Sequence, residues 1–97
     1  MTLKTVVKNW ALVNIRDDLS PFKILFATIK HDERGRFKSG DYLCSSRVLY
    51  IENNIVRTHT GSLYELIGTG DEYLASYSDL LQLMEGHSPA DLNLEVK

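Results

Sequence analysis

The chain has 97 residues, 43% hydrophobic and 25% charged, with 11 basic against 13 acidic side chains and one cysteine. That make-up fits one globular domain over 1–97, long enough for a single core and too short for a separate substrate domain. It excludes an internal disulfide, a zinc site needing two thiolates of this chain, and a membrane-spanning helix, because charges break every apolar run short of the ~20 residues a bilayer demands.

Val6 to Ile15 carries Val6, Val7, Trp10, Ala11, Leu12, Val13 and Ile15, and Ala11, Val13 and Ile15 share one strand face. It reads as a buried strand. These opening residues lack the apolar stretch and small-residue cleavage site of a secretory signal, so the expected location is the cytoplasm. Arg16-Asp17-Asp18-Leu19-Ser20-Pro21 is a turn or loop, and Phe22 to Lys30, aromatic and β-branched, is a second strand with Phe22, Ile24 and Phe26 on one face. From His31 to Asp41 only Phe37 is large and apolar, and Gly35 and Gly40 suit tight turns, so this is an exposed connection.

Tyr42 to Ile51 returns to strand composition, interrupted at Ser45-Ser46-Arg47, where a bulge is expected. Asn53-Asn54 supplies a hairpin turn into Ile55–Thr60, and Gly61-Ser62 a second turn into a fifth strand, Leu63–Ile67. From Asp71 to Glu85 the period changes: Leu74, Tyr77, Leu81 and Met84 recur at three, four and three, which predicts a helix capped near Thr69 and stopped by Gly86 and Pro89. The alternation of Leu92, Leu94 and Val96 fits an edge strand or a loose end equally. The expected fold is α+β: a mostly antiparallel, strongly curved or partly barrel-like sheet of about five strands, with one helix near the C-terminus.

Chemical candidates are few. Cys44 with His31, His59 or His87 would make a thiol and base for a small cysteine-dependent enzyme, but a cysteine in an apolar strand is more commonly a core residue. Ser45 and Ser46 lack the glycine-flanked elbow of a serine hydrolase. The three histidines are 28 residues apart and form no local metal motif, so neither a metal nor a cofactor is expected. Asp17-Asp18 and Asp32-Glu33 read as solvated turn residues. Gly68-Thr69-Gly70-Asp71 reads as a helix entry, because Asp71 and Glu72 would repel a phosphate there.

Residues 1–60 hold 10 basic and 6 acidic groups (+4), and residues 61–97 hold 1 and 7 (−6). Within the basic part, Arg34, Arg36 and Lys38 surround Phe37, a pattern suited to holding phosphates while the ring stacks on a base; the blander reading folds Phe37 onto the core. In the acidic part, Tyr64, Tyr73 and Tyr77 offer apolar area and hydroxyls together, which suits a protein interface.

Over Gly35-Arg36-Phe37-Lys38-Ser39-Gly40-Asp41-Tyr42-Leu43-Cys44-Ser45-Ser46, and again over Thr58-His59-Thr60-Gly61-Ser62-Leu63-Tyr64-Glu65-Leu66, the chain resembles a group of short uncharacterised bacterial and phage-associated proteins. The likeness spans residues 10–66. It brings no activity, and it implies a fold carried on mobile or accessory genes, where small proteins that bind and modulate another protein are common. Cys44 departs from the hydroxyl residue expected at its position in that pattern. The function expected is thus a noncatalytic accessory or regulatory protein acting by protein contact. Nucleic-acid binding through residues 34–38 and a Cys44 enzyme are the alternatives, and a strand edge offers a route to a homodimer.

Overall fold

The computed structural model describes residues 3–16 and 19–97. Asp17 and Asp18, one of the two carboxylate pairs, lie outside the described residues. The elements are β1 (Thr5–Ile15), β2 (Phe22–Asp32), β3 (Tyr42–Cys44), β4 (Val48–Glu52), β5 (Ile55–Thr58), β6 (Leu63–Leu66), β7 (Asp71–Ala75), α1 (Tyr77–Met84) and β8 (Glu95–Val96).

The architecture is α+β, and the sheet differs from the expected one in three respects. Among the described residues it has eight strands rather than about five, in the order β3-β2-β1-β6-β5-β4, with β7 branching from β1 and β8 pairing with β7. It is mixed, because β1 runs parallel to β6 through Thr5–Val7 and parallel to β7 through Ala11–Ile15. It is also not a closed barrel: β3 pairs with β2 and β4 pairs with β5, and among the described residues no ladder joins the two ends of the path. Strand direction across such long separations is set by tertiary packing, which local apolar periods do not encode.

Strand β1 is the hub. Its first half pairs with β6 and its second with β7, and its register against β2 shifts between Lys8 and Ala11, where Asn9 takes a left-handed φ of 49°. Trp10 fills this fork, its indole donating to the Gly68 carbonyl at 3.3 Å. Gly70 passes so close to the Trp10 ring and carbonyl that a Cβ would collide with both.

Strands β1 and β2 are buried on both faces, which is why they read as near-continuous apolar runs. One face, with Val7, Leu12, Leu25, Ala27 and Ile29, packs on Leu43, Val56, Tyr64 and Leu66 as the sheet rolls over. The other, with Val13, Ile15, Ile24 and Phe26, packs on Ala75 and on Leu80 and Leu83 of α1. At about 25 cal/mol per Å² of apolar area removed from water, these two clusters are the main source of stability.

The helix is shorter than expected and turned the other way. Asp71–Ala75 is a strand held on β1, so Thr69 caps nothing. The N-cap is Ser76, whose hydroxyl accepts from the Asp79 amide at 3.2 Å while Asp79 accepts from the Ser76 amide at 3.0 Å. Leu80 and Leu83 face the core, and Tyr77, Leu81 and Met84, the stripe read from the sequence, face solvent. Gly86, at φ 110°, ends the helix as expected.

The bulge expected at 45–47 is a break between β3 and β4. Buried Ser45 closes it: its Oγ accepts from the Leu25 amide at 2.8 Å and donates to the Ser46 carbonyl at 2.7 Å.

Candidate binding surface

Asp32 organises the candidate surface. It ends β2 and is buried, and its carboxylate accepts from the Thr5 hydroxyl at 2.9 Å and from the amides of Arg34 (3.1 Å), Arg36 (2.7 Å) and Phe37 (3.0 Å). Burial pushes its pKa up, but these four donors outweigh that and hold it below the ordinary carboxylate range. Far from solvating a turn, Asp32 fixes the shape of the 34–38 loop. The sequence held a signal for this, since an aspartate just before a Gly-containing turn commonly accepts from backbone amides further on.

On that loop Arg34, Arg36 and Lys38 are exposed. The Arg36 guanidinium stacks over Phe37, 4.9 Å from the ring centroid, with its Nε 3.9 Å from the Asp32 carboxylate. Arg34 and Lys38 have no ion-pair partner among the described residues. Phe37 is neither swung free nor buried in the core. It forms one wall of a cavity of about 510 Å³ whose other walls are Asp41, Tyr42, Leu43, Cys44, Tyr64 and Met84.

The fold therefore brings together residues from three separate sequence readings. Phe37 comes from the basic loop, Tyr64 from the tyrosine set, and Cys44 was the candidate nucleophile. Tyr64 is only 5% exposed, yet its hydroxyl makes no hydrogen bond with any described residue. Among the described residues no fully buried polar side-chain atom lacks a partner, so that hydroxyl keeps some exposure, and Tyr64 is one of the residues lining the cavity. Burial pushes the Cys44 thiol up to about 11, which keeps it protonated at neutral pH, and none of the histidines lines the cavity with it.

The other two tyrosines lie elsewhere. Tyr73 packs on the opposite core cluster and borders a second cavity of about 420 Å³ beside Trp10, Thr28 and Ser88. Tyr77 is 57% exposed on α1, in line with Leu81 at 52% and Met84 at 59%. This stripe continues past Met84 to Tyr42, whose hydroxyl donates to the Met84 carbonyl at 3.3 Å and whose ring stacks on Phe26 at 5.7 Å. The apolar surface thus runs from the helix to the cavity mouth.

Among the described residues no group of three or more histidines, cysteines or carboxylates is placed to hold a metal, and no helix is long and apolar enough to cross a membrane.

A family model described as a domain of unknown function, DUF6957, matches residues 2–82. That match extends beyond 10–66 to β1, β7 and most of α1. No curated protein and no solved structure matched the chain.

Proposed function

The chain belongs to the DUF6957 family of unknown function, and on that footing we propose that it is a noncatalytic accessory or regulatory protein that acts by contact with another protein. The observation that carries this reading is the exposed apolar stripe of Tyr77, Leu81 and Met84, continuous with Tyr42 and the cavity mouth. Scattered apolar residues are normal on a surface. A contiguous set rimmed by charge is the mark of an interaction site.

The resemblance to phage-associated proteins supports an accessory role on a bacterial mobile element, and we place that role in the cytoplasm. Affinity capture from the source cells, with and without nuclease, tests the contact. A partner should be retained after nuclease and lost with the Leu81→Glu/Met84→Glu double variant. Retention by that variant, or loss of all partners on nuclease treatment, would refute the reading.

A second reading has one specific observation behind it. The 34–38 loop is fastened to Asp32 by three backbone amides and presents Arg34 and Lys38, which have no ion-pair partner among the described residues, beside an arginine-stacked ring, an arrangement suited to phosphates and a base. If this reading is correct, single-stranded oligonucleotides should shift the protein in a gel with a marked salt dependence, and the Arg34→Ala/Arg36→Ala/Lys38→Ala variant should abolish the shift.

A further inference from the structure

We propose that the cavity beside β3 is a docking groove for an extended peptide of the partner, which adds to the sheet as a strand along the free edge of β3. This rests on the protein-contact reading and names what that contact grips.

The argument begins with hydrogen-bond parity. Successive residues of a strand direct their amide and carbonyl groups to opposite sides. The Ser45 amide donates to Leu25, the Ile29 amide donates to Asp41, and Leu43 pairs with Ala27, so residues 41, 43 and 45 face β2. Tyr42 and Cys44 therefore turn their amides and carbonyls away from it, and among the described residues no strand lies on that side. These two free pairs are about 6.8 Å apart, the repeat an added strand would meet.

The cavity lies along the same edge, between Met84 of α1, Phe37 of the loop and Tyr64 of β6. An apolar side chain of the peptide enters between Phe37, Leu43 and Met84. Its neighbouring polar group reaches the Tyr64 hydroxyl, which has no hydrogen-bond partner among the described residues. Arg34 and Lys38, without ion-pair partners among the described residues, lie on the loop that leads into β3, so the peptide places a carboxylate toward that loop, beyond Asp41, whose own carboxyl group belongs to the cavity wall. A backbone ligand suits this edge better than a compact small molecule, because the free groups are spaced along a line instead of converging on a point.

The test uses the full chain as bait for a displayed library of linear twelve-residue peptides, followed by synthesis of the enriched sequences. Binding should be micromolar, with a central apolar residue and an acidic end, and the amides of Tyr42 and Cys44 should exchange at least tenfold more slowly in the complex while that of Leu43 changes little. N-methylation of alternate peptide amides should abolish binding without altering the protein. Tyr64→Phe should weaken binding about fivefold, as expected for one hydrogen bond. Failure to enrich any peptide, or binding that leaves Tyr42 and Cys44 unprotected, would overturn the proposal. Protection of those amides by protein concentration alone, or by an oligonucleotide and no peptide, would overturn it in favour of a second copy or a nucleic acid. The contact reading is judged separately, by the nuclease-treated capture repeated with Leu81→Glu alone, which leaves the groove wall Met84 in place, so a partner gripped only by Tyr77 and Leu81 would end the groove proposal and leave that reading standing.

Discussion

Replacing Asp32 with alanine removes the acceptor of four hydrogen bonds at once. The loss is unequal among the donors. Thr5 is fully buried, so its hydroxyl is stranded at about 1–3 kcal/mol, whereas the amides of Arg34, Arg36 and Phe37 sit in an exposed loop and recover much of their bonding from water. A total near 3 kcal/mol follows. For a chain of this length that corresponds to a fall in Tm of about 12–24 °C.

Asp32→Asn keeps one acceptor oxygen and turns an amide NH₂ toward donors, so it should cost about half as much. The two variants also separate shape from charge. Because the native carboxyl is held below its ordinary range, its stabilisation is present above the unfolded value of about 3.9 and is lost as pH falls through the folded one. The gap between the wild type and Asp32→Asn should therefore narrow below about pH 4. Thermal melts followed by circular dichroism from pH 3 to 7 measure both effects. An Asp32→Ala protein melting within 2 °C of wild type at pH 7 would refute the reasoning.

Ser45→Ala should cost about 1–3 kcal/mol in urea denaturation, because it strands the buried Leu25 amide at the β3–β4 break; an unchanged midpoint would count against that account. Gly70→Ala forces a Cβ into the Trp10 ring and carbonyl, so it should destabilise by about 1–3 kcal/mol and shift the single tryptophan's emission, whereas a melt identical to wild type would contradict the close approach. With its pKa at about 11, the half-buried Cys44 should react slowly with a disulfide probe at pH 7.4 and accelerate about tenfold per pH unit to pH 10; rapid labelling at neutral pH would contradict a raised pKa. Leu81→Glu/Met84→Glu should cost no more than about 1–2 kcal/mol, since both positions are exposed and the main penalty is two carboxylates in the last helical turn, and a larger loss in a thermal melt would mean the stripe is structural.

Local chemistry made most of the strands legible. Alternation and turn residues locate β1, β2, β5 and β6, and the double-asparagine hairpin forms as expected, with Asn53 and Asn54 both at positive φ. The helix shows how a period can mislead. Leu74 belongs to a strand yet falls three residues before Tyr77, and it extended an apolar stripe that truly starts at Tyr77 and faces solvent. Ser76-x-x-Asp79, a capping pair visible in the sequence, marked the correct start. The parallel pairing of β1 with β6 and β7 had no local signal, because it depends on contacts between residues more than fifty positions apart.

The site was legible in pieces. Phe37, Tyr64 and Cys44 each stood out alone, for three different reasons, and only the roll of the sheet brings them around one cavity. Beside Glu33 in a polar stretch Asp32 reads as solvated, whereas the fold pairs it with Thr5 of the neighbouring strand and buries it. The free edge at Tyr42 and Cys44 follows from which neighbours β3 lacks.

The contact claim is tested most directly by photocrosslinking in the source cells, with p-benzoylphenylalanine in place of Leu81 and, separately, of Leu49 on the outer strand β4. A discrete protein adduct from position 81, absent from position 49, is the predicted result. No adduct at 81, or adducts to nucleic acid alone, would contradict it.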